Sequence, residues 1–537
     1  MEITQNKKEK KHNPLWRGLN KFFKFEERGT NFKREIFAGL LSFLCIAGTA
    51  LVVANLLSEG TAQTTGMRLG HVIFFLIALM SAISSITVGL VCNVPVVHSV
   101  SLATVSLILS IYGKYQGLTY FNILAIAFVS NLIYLAIMLV KPVREFIFKA
   151  IPDTVKRALP VAIGMLIIGF VLVQLDILQV NNYDLMHVLT NYAKAGDPMS
   201  KVAISYVTLN FDFFKDPNYF YSYMPIIIAL CIVIVAAILR NIKIKNFTFK
   251  HPVIDAFGIG LLIYIIFWVV RGNFTDYYLY SFIVPSYGAM YFGSSPLPVI
   301  TMIKNNYLLS AFQKGFDFSA FKAAVDAGTS SGNVFFIFLS SILSFVVLGI
   351  SETGSVVKTM AYQGQQVNEE GQLVTNISRN GFGWEFANVY SVTAAVNVVG
   401  SILGCMPVSA RHESTVGGEE GGRTGLTAVV AGLLFIVTMF NMIFNGLFVN
   451  GILIYGLMLL AGFSLLSNIR NIDFGDKVEF VPALLMIVSA TFTQDIVLAL
   501  TIGVVSYVVM QLITFKIKNI KIGTAILAAI LLINLIF

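Results

Sequence analysis

A few ionisable side chains stand inside long apolar stretches of this chain, and their types and spacing define where its chemistry lies. Glu352 sits in Gly349-Ile350-Ser351-Glu352-Thr353-Gly354-Ser355. Arg411, His412 and Glu413 lead into Ser414-Thr415-Val416-Gly417-Gly418, and His98 stands beside Ser99 and Ser101. Each such group costs roughly 2.5–3.5 kcal/mol or more at the centre of a membrane helix, so its presence marks a function or a fixed partner. Small polar residues and glycines flank both glutamates, which permits close approach of a ligand to backbone and hydroxyl groups. A carboxylate in this setting accepts hydrogen bonds and also accepts a proton, which offers a coupling ion. The chemistry expected is recognition of a small neutral heterocycle rich in N–H groups. The structural alternative is that Glu352 or Glu413 pairs with Arg411, and that His98 is a satisfied interior histidine.

These residues need helices to hold them at membrane depth. Of 537 residues 56% are apolar and 12% are charged, about half the roughly 25% usual in soluble domains. The apolar residues fall in blocks of about 17–25, the length that crosses roughly 30 Å of hydrocarbon. About fourteen spans are expected: Glu35–Leu57, Gly70–Cys92, Val96–Tyr112, Leu118–Val140, Val155–Leu175, Tyr223–Leu239, Pro252–Val270, then Asn333–Val357, Tyr390–Cys405, Met406–Glu419, Thr424–Phe444, Val449–Leu466, Val478–Thr493 and Asp495–Ile513. The apolar tail Ile522–Phe537 is short, and whether it spans is left open. Basic residues follow the even-numbered spans: Lys141, Arg144, Lys149, Lys156 and Arg157; Arg240, Lys243, Lys245 and Lys250; Arg470 and Lys477; Lys516, Lys518 and Lys521. This is the positive-inside pattern, with a cytoplasmic N-terminus and a multi-pass chain in the cell (inner) membrane.

Two sets of seven spans have opposite orientation, the inverted-repeat plan of many secondary transporters. The third member of each set is short and interrupted by proline, at Asn93-Val94-Pro95 and at Met406-Pro407-Val408. Proline lacks a backbone donor and pushes its predecessor toward extended geometry. Two broken helices at matching positions are expected to meet and to expose backbone groups to a cavity rather than to lipid. His98, Arg411 and Glu413 lie on these segments. The net charge of +9 is scattered between apolar blocks, so it is not a nucleic-acid signature. The four cysteines, Cys45, Cys92, Cys231 and Cys405, read as small buried hydrophobes with no metal spacing. No nucleophile–base pair and no phosphate loop is visible, so an enzyme is not expected; Glu419–Gly422 reads as a loop end.

Several of these motifs resemble one family. Glu413-Ser414-Thr415-Val416-Gly417 followed by Gly421-Gly422-Arg423-Thr424-Gly425-Leu426-Thr427-Ala428 is similar to the signature of the hypoxanthine/guanine/adenine permeases, a branch of the nucleobase–cation symporter family that includes xanthine and uracil permeases. Glu352-Thr353-Gly354-Ser355 resembles the family's acidic span 8 motif. Arg34-Glu35-Ile36-Phe37-Ala38-Gly39-Leu40 resembles its first-span opening, and Ile472-Asp473-Phe474 with Val481-Pro482-Ala483 a later segment. The resemblance runs from about residue 33 to 515. It implies an all-α polytopic fold of fourteen spans in two inverted halves, with short extended segments in spans 3 and 10. A core domain (35–140 and 333–446) would carry substrate against a gate domain (141–270 and 447–515), beside a basic segment 1–34, an extracellular connector 271–332 and a hydrophobic tail 516–537. It also implies that Glu352 and Glu413 bind a purine-type base and that one links to the transported proton, with Thr353, Ser414, His98, Ser99 and Arg411 beside them. The partners are then the nucleobase, a proton or sodium ion, the bilayer and, optionally, a second copy of the chain; no cofactor is implied. The chain departs from the family at Ser99–Ser106, where glycines and an asparagine are expected, and at Arg411 and His412, which replace a tyrosine and an aliphatic residue. The added cation keeps an alternative open, an anion or altered-heterocycle carrier on the same fold. A non-transporting membrane sensor is a further alternative.

Overall fold

A computed structural model describes residues 14–65, 70–115, 117–175, 177–184, 203–209, 224–241, 252–270, 309–326, 333–363, 378–379, 382–383, 386–440, 451–493 and 495–536. Most of the expected connector 271–332, the loop lysines Lys243, Lys245 and Lys250, and residues 1–13 lie outside that set. The first part of the chain forms α1 (Pro14–Phe23), α2 (Phe32–Thr65), α3 (Gly70–Val91), β1 (His98–Ser99), α4 (Leu102–Lys114), α5 (Tyr120–Leu139), α6 (Lys141–Ala150), α7 (Asp153–Gln174), β2 (Leu178–Asp184), β3 (Ala203–Leu209), α8 (Met224–Asn241) and α9 (Pro252–Val270). The second forms α10 (Ser310–Gln313), α11 (Ser319–Asp326), α12 (Val334–Gln363), β4 (Ser378–Arg379), β5 (Phe382–Gly383), α13 (Phe386–Leu403), β6 (Ser409–Ala410) and α14 (Ser414–Glu419). It continues through α15 (Gly425–Phe440), α16 (Gly451–Leu466), α17 (Lys477–Thr493), α18 (Ile496–Ile513) and α19 (Ile522–Ile536).

Among the described residues, seven helices are long and apolar enough to cross a membrane: those in α2, α3, α5, α7, α12, α16 and α18. Shorter apolar helices lie in α4, α8, α9, α13, α15 and α19. The chain is thus a mostly helical, multi-pass membrane protein. The helices pack in two groups. In one, α15 lies on α3 and α2, while α12 and α13 lie on α5. In the other, α7 packs on α16 and α17, α8 on α9 and α16, and α17 on α18. The groups touch where α2 meets α16, α7 meets α12 and α4 meets α18.

Lipid tails are as apolar as the side chains, so helix association in a membrane depends on close packing rather than on burial from water. Glycine provides that closeness at the centre of each group. A Cβ on Gly425 would strike the Gly89 carbonyl, which lets α15 ride on α3. A Cβ on Gly164 would come within 2.9 Å of the Gly462 carbonyl, where α7 crosses α16. Phe43 and Phe435 stack edge to face at 5.1 Å between α2 and α15.

The first and last described segments are both tied to the bundle. Phe23 and Phe25 are buried against Leu426, and Arg28 donates to the Asn93 carbonyl and, at 3.0 Å, to the Arg423 carbonyl. Residues 23–28 therefore pack on the end of α3 and the start of α15, because the aromatics have an apolar seat and the guanidinium meets carbonyls that flank those helix ends. The C-terminal α19 packs on α6, α12 and α18, and Thr524 Oγ1 donates to the Ala150 carbonyl at 2.7 Å.

Candidate functional site

The site is built where two helices stop short. After α3 the chain turns at Asn93, whose φ of 54° is left-handed, and Pro95 keeps it extended. After α13 it turns at Gly404, φ 92°, and Pro407 does the same. The two extended segments pair antiparallel as β1 and β6, His98 opposite Ala410 and Ser99 opposite Ser409. Arg411 N prolongs the ladder by donating to the Val97 carbonyl at 2.9 Å.

Extended backbone at this depth has no water to bond, so each free group needs a protein partner. The preceding helices supply them. Ser85 of α3 accepts from His98 N at 2.9 Å and donates to the His98 carbonyl at 3.4 Å. Asn397 of α13 accepts from Val408 N and donates to the Val408 carbonyl, both at 2.8 Å. Ser414 Oγ accepts from Val97 N at 3.1 Å. Beyond β1 the chain re-enters helix under a cap, Thr104 N donating to Ser101 Oγ at 2.8 Å.

Glu352 of α12 is buried, and Ser409 Oγ donates to its Oε2 at 2.7 Å. That bond fixes one carboxylate oxygen at strand β6. Among the described residues Glu352 makes no ion pair. Glu413 is also buried and is ion-paired with Arg411. The same guanidinium reaches Thr49 Oγ1 and the Val100 carbonyl, each at 3.3 Å. Arg411 thus ties β6 to α2 and to the start of α4, and it neutralises Glu413.

The remaining sequence-predicted residues divide in two. Ser99 lies on β1 and its hydroxyl is taken by Ser81 at 3.0 Å. His98 Nε2 lies 3.0 Å from Thr393 Oγ1, and that hydroxyl donates its single proton to the Val389 carbonyl. His98 Nε2 must therefore carry a hydrogen, which makes this histidine a strand-to-α13 tie. Ser414 is occupied by Val97. Thr353 is fully buried on α12, next in sequence to Glu352 and on a different face of the helix. Glu352, Glu413, Arg411, His98 and Ser99 are brought together around the strand pair; the Ser414 hydroxyl serves that pair's backbone, and Thr353 is turned from it.

Several functional contacts escaped sequence reading. Thr49, Ser85, Thr393 and Asn397 hold the site but carry no charge, and their helix positions alone give no signal. Glu35 is fully buried and accepts from Thr427 Oγ1 at 2.6 Å, Arg423 N at 2.8 Å, and Thr424 N and Thr427 N at 3.3 Å. It caps the start of α15, where unpaired amides and the helix dipole favour an anion. The residues Arg423–Thr427 thus close the fold rather than touch the site. Their joint appearance with Glu35 in the family resemblance was the available signal.

The chain is similar over nearly its whole length to several permeases. The chain is 22% identical over 519 residues to a putative permease of Haemophilus influenzae, covering 96% of this chain and 97% of that protein. It is 21% identical over 515 residues to a guanine/hypoxanthine permease of Escherichia coli O157:H7, covering 96% and 95%. An adenine permease of Escherichia coli K12 is 22% identical over 519 residues, covering 97% and 96%. Among solved structures, the murine anion transporter solute carrier 26 member A9 aligns at 12% identity and a TM-score of 0.49, over 96% of this chain and 74% of that one. No family model matches the chain. The fold is that of a multi-pass membrane protein, and the curated relatives that it matches over nearly their whole length are permeases. The resemblance to guanine/hypoxanthine and adenine permeases extends over nearly the whole chain.

Proposed function

We propose that this protein is a secondary active transporter that imports a purine-type nucleobase, hypoxanthine, guanine, adenine or xanthine, by proton symport. The carrying observation is Glu352, a buried carboxylate held at the junction of two broken spans, with one oxygen fixed by Ser409 and no ion pair among the described residues. A buried carboxylate of this kind is stabilised by a proton or by donors from a ligand. A purine supplies such donors on its N–H edges. Full-length similarity to permeases whose names specify guanine, hypoxanthine and adenine supports the substrate class. In this reading Glu352 accepts from the base and is the coupling carboxylate; Glu413, through Arg411, sets the geometry of β6. Two carboxylates against one cation disfavour the anion-carrier alternative.

The proposal includes fourteen spans in two inverted halves. The packing supports it: α3 on α15 corresponds, seven spans on, to α13 on α5. Likewise α2 on α15 corresponds to α12 on α5, α8 on α9 to α17 on α18, and α2 on α16 to α12 on α7. The first packed group would be the mobile core and the second the gate, sliding in an elevator-like step. The N-terminus would be cytoplasmic, as the basic residues after even-numbered spans require. The test is uptake of labelled hypoxanthine, guanine, adenine and xanthine in cells lacking their own carriers, with and without a protonophore. Accumulation that requires the proton gradient is the expected result. Absence of uptake for every base rejects the substrate class, and gradient-independent accumulation rejects the coupling.

A further inference from the structure

We propose that a chamber between the two packed groups, at the end opposite the basic loops, is a second ligand site, lined by hydroxyls and one carboxylate, where the transported molecule loads before it reaches Glu352. This inference rests on the transport reading above. The chamber measures about 260 Å³ and is walled by the ends of α4 and α17 and the beginnings of α12 and α18. It is smaller than the roughly 300–1,000 Å³ of drug-sized pockets, so it suits a small ligand.

Its chemistry follows from where the hydroxyl protons go. A serine or threonine hydroxyl has one proton and two lone pairs. Ser340 Oγ donates to the Ile337 carbonyl at 3.2 Å and Ser344 Oγ to the Ser340 carbonyl at 3.0 Å. Thr501 Oγ1 donates to the Val497 carbonyl and Thr493 Oγ1 to the Ser489 carbonyl, each at 2.8 Å. These four protons are spent on the helices themselves, and Thr493 Oγ1 also accepts from Asp495 N at 3.2 Å; Ser110, Ser341 and Tyr115 complete the polar lining. Asp495 adds a carboxylate whose Oδ1 caps α18 through Val497 N and Leu498 N, at 2.9 and 3.1 Å. Among the described residues, no lysine or arginine lines the chamber. The Asp495 carboxylate favours cations and hydrogen-bond donors over anions. An N–H-rich heterocycle is a ligand of the right kind.

The chamber shares helix α12 with the site. Along α12, Ser344 and Glu352 are eight residues apart, about 12 Å along the helix axis. Ser351 stands beside that track with a buried hydroxyl that has no hydrogen-bond partner. At the other end of the bundle the same seam is bridged. Glu419 at the end of α14 pairs with Arg240 of α8 and accepts from Ser464 of α16, while Glu420 lies 3.5 Å from Val253 N of α9. A seam pinned at the basic end and hollow at the opposite end has the form of a carrier ready to load from outside.

The experiment is thiol labelling of Ser341→Cys and Ser344→Cys in intact cells, with membrane-impermeant cationic and anionic methanethiosulfonates. The wild type is the background control, its Cys45, Cys92 and Cys405 being buried and Cys231 half-buried. The expected result is labelling from outside at least about tenfold faster with the cationic reagent, the scale of electrostatic focusing in a charged cleft. Asp495→Asn, which keeps a capping side chain, should remove most of that preference. Hypoxanthine or whichever base the wild type accumulates should protect both cysteines. No labelling from outside at either position, or labelling at equal or greater speed with the anionic reagent, overturns the proposal. So does labelling that an accumulated base fails to slow. If the wild type accumulates no base, the transport reading fails by itself, and reagent charge still decides what the chamber admits.

Discussion

At the scale of single residues, the two glutamates prominent in the sequence have different jobs. Glu352 makes no ion pair among the described residues, whereas Glu413 is bound to Arg411. Glu352→Gln keeps an oxygen for Ser409 and should leave the thermal midpoint near that of the wild type. Its uptake should fall at least about tenfold, the loss expected when a charge-assisted bond worth about 1.5–3 kcal/mol disappears. Unchanged uptake would remove Glu352 from the substrate site. Breaking the buried pair is a stability event instead: Arg411→Met or Glu413→Gln alone should cost about 3–5 kcal/mol, because each strands a buried partner. The double variant should cost less than the sum, and the cycle measured by thermal unfolding in detergent reads the coupling directly. Additive losses would show that the pair does not act as a unit.

At the scale of elements, the strand pair depends on side chains from the helices before it. Asn397→Ala leaves the amide and carbonyl of Val408 unpaired, at about 1–3 kcal/mol for each group. Asn397→Asp, which keeps the acceptor but loses the donor, should fall between wild type and alanine in denaturation midpoint. Equal midpoints for alanine and wild type would mean that β6 holds itself. Glu35 makes the same kind of argument for α15. Glu35→Ala should destabilise the protein by at least about 1 kcal/mol, the usual cost of a lost cap, without shifting substrate preference. A changed base preference would place Glu35 in the site after all.

At the scale of the whole molecule, Arg240–Glu419 is one of the links that would have to break if the groups slide. Both side chains are partly exposed, and such pairs contribute about 0–1 kcal/mol to stability. Arg240→Glu should therefore barely move the thermal midpoint yet change the uptake rate, by repelling Glu419. The charge swap Arg240→Glu with Glu419→Arg should restore the rate. A single reversal that leaves uptake untouched would remove this contact from the transport cycle.

The sequence by itself determined that the chain crosses a membrane repeatedly, since its apolar blocks match bilayer thickness and its charged residues are too few to coat a soluble surface. It also located the two broken spans, because proline interrupts a helix by local chemistry, as Pro95 and Pro407 do here. The same filter found Glu352, Arg411 and Glu413, because a charge inside an apolar block is costly wherever the chain folds. Tertiary structure decided what those charges touch. Arg411 could reach either glutamate on paper; the pairing of β1 with β6 gave it Glu413 and left Glu352 to Ser409. It also turned Glu35 and the glycine-rich signature into a helix cap, and gave uncharged Ser85 and Asn397 the task of holding the strands. Hydropathy is summed along the chain and survives without neighbours, whereas a hydrogen bond needs two groups that only the packed helices bring within 3 Å.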